Sequence, residues 1–214
     1  MLLALALSFT YSYVNQRLDA RKAAVISEAD AIGTAYLRAD FAPEPLCSRL
    51  RSLLAEYARS RLVTSQIAAT REKLPQSVAA SLAIQAQFWP VVSEVMKQSA
   101  AGPKEALLAQ AVNDVIDMHT VRLAAGYDRL PHIILYMLLV IAGLAMLVTG
   151  YVSGLSNTWN RWITMSFALV LAGIMYVIVD MDTSHSGFVQ VSQQPIKELI
   201  MSMEGTSSSP PPTQ

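Results

Sequence analysis

"HIILYMLLVIAGLAMLVTG", residues 132–150, carries no charge unless His132 at its edge is protonated. An α-helix rises 1.5 Å per residue, so about twenty residues cross a hydrocarbon core of ~30 Å. The stretch therefore reads as a membrane-spanning helix. A second uncharged run of 16 residues, 163–178, follows a short link, 151–161, that holds Asn, Ser and Gly. With its flanks it forms a second span, 162–179, and the two make an antiparallel hairpin. The alternative for each is a buried core helix of a soluble protein, but two adjacent runs of this length are rare in a soluble core.

Composition points the same way. Of 214 residues, 53% are hydrophobic and only 15% charged, against about 25% charged in an average soluble domain. The 16 basic and 16 acidic side chains cancel, which argues against a nucleic-acid binder, normally distinctly basic. The single cysteine, Cys47, allows no intrachain disulfide and no cysteine-rich metal site.

Residues 1–14, "MLLALALSFTYSYV", are apolar as well, but reach only about 21 Å as a helix. They lack the basic n-region and the small-residue cleavage site of a signal peptide. The expectation is a spanning helix short of its N-terminal part. Arg17, Arg21 and Lys22 follow it, and Arg122 and Arg129 precede the second span, whereas the outer link holds only Arg161. The positive-inside rule then places 15–131 and the C-terminal end in the cytoplasm. Tyr151, Trp159 and Trp162 would mark the outer interface, and Tyr11, Tyr13 and Tyr176 the inner one.

The inner region reads as helices throughout. Leu18, Val25, Ala29, Ile32 and Tyr36 recur at helical spacing, so the first helix should run on to Asp40. "APEP" (42–45) breaks it. Leu46, Leu50, Leu53, Leu54, Tyr57 and Leu62 form the next apolar stripe, with Arg49, Arg51, Glu56, Arg59 and Arg61 placed largely off it. A helix over about 76–98 should kink at Trp89-Pro90. After "AGP" (101–103), another runs from about 104 to 129. The end, "GTSSSPPPTQ" (205–214), is low in complexity and expected to be disordered.

"EADAIGTAYLRADFAPEP" (28–45), "LRSLLAEYARSRL" (50–62), "VNDVIDMHTVR" (112–122) and "VSQQP" (191–195) resemble a bacterial membrane family, the bestrophin-like domain proteins. The likeness covers nearly the whole chain. It implies distant similarity to bestrophins, ring-shaped anion channels whose long helices continue below the membrane. Family members usually carry one more membrane helix upstream. They often place Arg-Pro after the aspartate pair, where this chain has Thr183 and Ser184.

That pair, Asp180 and Asp182, stands with His185 where the last apolar run stops. A helix C-terminus is partially negative, so carboxylates are unwelcome there. Either the helix ends before them and Asp182 or Thr183 bonds backbone amides in the turn, or the cluster serves gating or partner binding. A hard-cation site formed with Ser184 is the third option. Arg17, Arg21 and Lys22 either anchor topology or gather anions at an inner mouth. Gly143, Gly150 and Gly154 on one span, and Ala168 and Ala172 on the other, let helices approach closely, within one subunit or between subunits. His119, near Asp117 and Arg122, reads as a packing residue.

No Ser or Cys nucleophile has a matched base and no phosphate-cradling glycine loop occurs, so no catalytic residue, metal or cofactor is expected. The middles of both spans lack ionisable groups, which counts against ion-coupled transport. A dewetting pore lined by residues such as Ile141, Leu144 or Leu147 stays open as a reading.

The reading is an all-α integral membrane protein of the bacterial inner membrane. It comprises a short first span (1–14), a cytoplasmic helical region (15–131), a transmembrane hairpin (132–180), a cytoplasmic C-terminal segment (181–204) and a tail (205–214). Its expected partners are the lipid bilayer, further copies of itself and a small inorganic anion, with no nucleic acid. The resemblance implies an oligomeric ion channel. A membrane-anchored interaction or sensory module, docking through 46–62, is the alternative.

Overall fold

The computed structural model describes residues 2–67, 73–98, 102–128, 130–155, 161–182 and 191–207. All regular structure among them is helical: α1 Leu2–Arg38, α2 Leu46–Ile67, α3 Leu74–Gln85, α4 Phe88–Gln98, α5 Pro103–Tyr127, α6 His132–Leu155, α7 Arg161–Asp182 and α8 Gln194–Ser207.

The breaks fall where the backbone chemistry demands them. α1 runs unbroken from the apolar N-terminal stretch to Arg38 and tightens into a 3₁₀ turn, Ala39–Phe41. The prolines of 42–45 then forbid further helix, and the freed carbonyls of Pro43 and Pro45 accept the Cys47 and Arg49 amides, each at 3.1 Å, as α2 begins. Pro103 occupies the first position of α5, where a missing N–H costs nothing.

At Pro90 the structure corrects the expected kink. The helix stops at Gln85, and a new one starts at Phe88. Pro90 thereby lies in the first turn of α4, the one helical location where its absent donor and fixed φ are tolerated. The end of the last span also differs from expectation. α7 does not stop before the aspartates but continues through Asp182. Gly205–Ser207, assigned from sequence to the tail, lie inside α8. Residues 208–214, like His185, lie outside the described residues.

The chain divides into two compact units, Met1–Ala20 with Gly126–Gln190, and Arg21–Ala125 with Val191–Gln214. In the first, α6 packs on α7. Leu138 and Ala142 of α6 and Leu171, Ile178 and Met181 of α7 are buried. Many other large apolar side chains are exposed, among them Leu139, Val140, Leu144, Leu147 and Val148 on α6 and Met165, Leu169 and Val170 on α7. Two stretches, within Pro103–Leu155 and over Thr164–Asp182, are long and apolar enough to cross a membrane, and only 11% of each apolar window is buried. A soluble core helix shows the reverse.

The second unit has a conventional core. Ile32, Ala35 and Tyr36 of α1 meet Leu50, Leu54 and Tyr57 of α2, Phe88, Val91, Val92 and Val95 of α4, Leu108, Ala111, Val112 and Val115 of α5, and Met203 of α8. α8 is anchored at its start by fully buried Ile196, which packs with Val25 and Ala29.

Candidate functional site

Polar residues interrupt the buried stripes of three helices in the second unit. On α1, Glu28 lies one turn from Val25 and Ile32 and is fully buried. On α2, Tyr57 and Arg61 continue the line of Leu50 and Leu54, and both are buried. On α5, His119 follows Leu108, Val112 and Val115 inward, at 2% exposure. Arg122 lies one turn further on. Helical spacing brings all five to one place.

Glu28 is the centre. Its Oε1 accepts Nε–H of Arg61 at 2.8 Å and the Tyr57 hydroxyl at 3.0 Å. Its Oε2 accepts from Nη1 of Arg122. Accepting on both oxygens from three donors is what an ionised carboxylate can do. Arg122 also donates through Nη2 to the side-chain carbonyl of Gln193, at 2.7 Å, and the Gln193 amide donates to the Val191 carbonyl at 3.1 Å. The lead-in to α8 is thereby fastened to the network.

The tautomer of His119 follows. Tyr57 has one hydroxyl proton and gives it to Glu28. The 2.8 Å contact between the Tyr57 oxygen and His119 Nδ1 is then made by Nδ1–H donating. That leaves Nε2 as a bare acceptor, buried and without a hydrogen-bond partner among the described residues, as is Arg61 Nη1. The Phe88 ring meets Tyr57 edge-on, with ring centroids 5.5 Å apart.

One carboxylate faces two guanidiniums, so the cluster holds a positive charge in excess. Burial pushes the His119 pKa down to about 4, and the Arg61 and Arg122 charges push the same way against Glu28. Burial, then the Glu28 charge, raises the Tyr57 phenol above its ordinary range. Burial lowers Arg122, with Glu28 opposing. The array holds charge and orients groups, keeping the imidazole neutral and the phenol protonated. Among the described residues, no group of three or more His, Cys, Asp or Glu is placed to hold a metal.

The residues singled out from sequence are dispersed. Asp182, the last residue of α7, accepts the Leu130 amide at 2.7 Å, just ahead of α6. The carboxylate at the unfavourable end of a helix thus clasps the open end of the hairpin, a charge-assisted bond offsetting the dipole penalty. Asp180 is half-buried. Arg17 pairs with Asp128 at 2.9 Å and stacks over the Tyr13 ring. Arg21 is buried, and its Nε donates to the Ala125 carbonyl at 3.1 Å, satisfying an acceptor left over at the end of α5. Lys22 is exposed. Gly143, Gly150 and Gly154 are exposed with no atom within 4 Å of where a Cβ would lie. Ala172 is exposed too, and Ala168 half-buried. Among the described residues, none beyond the glycines' own helix lies in contact with these three positions.

Sequence reasoning missed the network. The charged residues of α2, Arg61 among them, read as lying largely off the apolar stripe, and the structure puts Arg61 on the stripe at 2% exposure, paired with Glu28. The available signal was a charge falling on an apolar face. The four blocks 28–45, 50–62, 112–122 and 191–195, quoted above for their family resemblance, each supply a member: Glu28; Tyr57 and Arg61; His119 and Arg122; Gln193.

No curated protein and no solved structure matches the chain. Residues 1–196 match the family model of the Bestrophin-like domain, and the chain belongs to that family.

Proposed function

We propose that this member of the Bestrophin-like domain family is a multi-pass protein of the bacterial inner membrane, with its C-terminus in the cytoplasm. Its copies assemble into a ring around an apolar pore that passes small anions. The observation that carries the proposal is the family match over 1–196, since bestrophins are anion channels. The physical support is independent of it. α6 and α7 expose most of their apolar surface, which in water would be a large aggregation-prone patch and in a bilayer is the ordinary lipid- and partner-facing state. A pore without intramembrane charges is consistent with gating by dewetting. In this reading the chain is not an enzyme, and the buried Glu28 network is the brace of its helical unit.

The native mass of the purified chain in nanodiscs is the first test, followed by chloride efflux from liposomes. A closed ring with chloride efflux is the expected outcome. A monomer or a simple dimer has no shared central pore and would overturn the channel reading, leaving the membrane-anchored interaction module in its place.

A further inference from the structure

The residue no channel function accounts for is His119. It is neutral, buried, and bonded through Nδ1–H to a phenol whose own proton is committed to Glu28. A second proton has one destination, Nε2. That atom is buried with no acceptor among the described residues. The charged and titratable groups facing the imidazole are Glu28 from α1, Tyr57 and Arg61 from α2, and Arg122 from α5 itself. α4 contributes the Phe88 ring, edge-on to Tyr57. Among the described residues acting on the ring, Glu28 is the one anion, and it already accepts three hydrogen bonds. An imidazolium at this place would add a positive charge to a cluster that has one in excess, with its new N–H unbonded. Both problems vanish if Nε2 reaches water.

We propose that His119 is an acid-operated latch: protonation at Nε2 opens the packing of α5 against α2 around Tyr57. In the closed form the ring stays neutral down to about pH 4, for burial and the two arginines oppose its charge. In the opened form it titrates near the ordinary value of about 6.5. The sign follows. Between those limits the open form binds a proton that the closed form refuses, so opening becomes easier as pH falls. Below the lower limit both forms are protonated and the trend stops. Each pH unit inside the window multiplies the opening constant by about ten.

Hydrogen–deuterium exchange on the full chain in nanodiscs tests this, with labelling times scaled to the intrinsic amide rate at each pH. From neutral pH to about pH 5, amides of α2 around Tyr57 and of α5 around His119 should lose protection about tenfold per pH unit below 6.5. His119→Gln keeps a donor for Tyr57 but cannot titrate, and its profile should be flat. Equal loss in wild type and H119Q would assign the effect to carboxylates and overturn the proposal, as would full protection in the wild type. If H119Q fails to fold, isotope-labelled histidine in the wild-type chain decides. The His119 ring must then gain its proton over the pH range in which the two helices open. A ring that titrates at the ordinary value while both helices stay protected also overturns it.

Discussion

Glu28 shows how far burial changes the worth of one charge. Its carboxylate is fully buried between Arg61, whose side chain is 2% exposed, and Arg122, at 11%. Glu28→Gln keeps the shape and deletes the charge, leaving two guanidiniums facing each other in a dry place. Breaking a buried pair this way costs about 3–5 kcal/mol. Arg59 and Glu204 make a pair of similar length, 2.9 Å, with both side chains more than half exposed. Solvent screening limits Glu204→Gln to less than about 1 kcal/mol. Thermal melting of the two variants in nanodiscs should show a large drop for the first and almost none for the second. Equal drops would mean that the Glu28 site is wetter than its burial indicates. At this scale residue class alone marks His119 as packing and Arg122 as a topology marker. What it could not supply was convergence: Glu28, Tyr57 and His119 are separated by 29 and 62 residues along the chain, and only packing makes them neighbours.

Among the elements, α8 is the one whose docking can be tested by a single atom. A Cβ added at Gly33 would lie 3.2 Å from Leu199 Cδ1. One methyl group is tolerable, since a leucine tip can give and alanine gains about 1 kcal/mol of helix propensity over glycine. Gly33→Ala should therefore be close to neutral. Gly33→Leu fills the space of Leu199 outright, and α8 should detach while α1, α2, α4 and α5 hold their shared core. Limited proteolysis would show it as early cleavage within α8, at an unchanged melting transition for the rest. A variant with α8 still protected would show that Ile196, Met203 and the Gln193 bond to Arg122 hold the helix without the Gly33 contact. Element boundaries were largely legible beforehand, because Pro43, Pro45 and Pro103 interrupt helices by covalent geometry. The exceptions share a cause. Pro90 moved the break upstream by accepting the first turn of α4, and Asp182 extended α7 by finding the Leu130 amide. Both depend on where a backbone donor is missing or waiting, which spacing alone does not reveal.

For the whole molecule, the question is what solvent surrounds α6 and α7, and an exposed leucine can answer it. Leu144, near the middle of α6, is 58% exposed, and Leu107 on α5 in the other unit is 45% exposed. In water the two positions are equivalent. A charge at either should change stability by less than about 0.5 kcal/mol, as surface substitutions do. In a bilayer they differ sharply, because Asp at the centre of a spanning helix costs about 2.5–3.5 kcal/mol on insertion while Asp on the helical unit outside costs little. The comparison of Leu144→Asp with Leu107→Asp therefore isolates the environment from the substitution. The fraction of chains that resists alkaline extraction from membranes should fall steeply for L144D and stay at the wild-type level for L107D. Equal retention of both would mean that α6 does not cross the bilayer, and the exposed apolar faces would then need another protein to cover them. Hydropathy and burial meet at this scale. The sequence supplies the length and apolarity of the two helices, and the fold adds that, among the described residues, only 11% of each apolar window is buried.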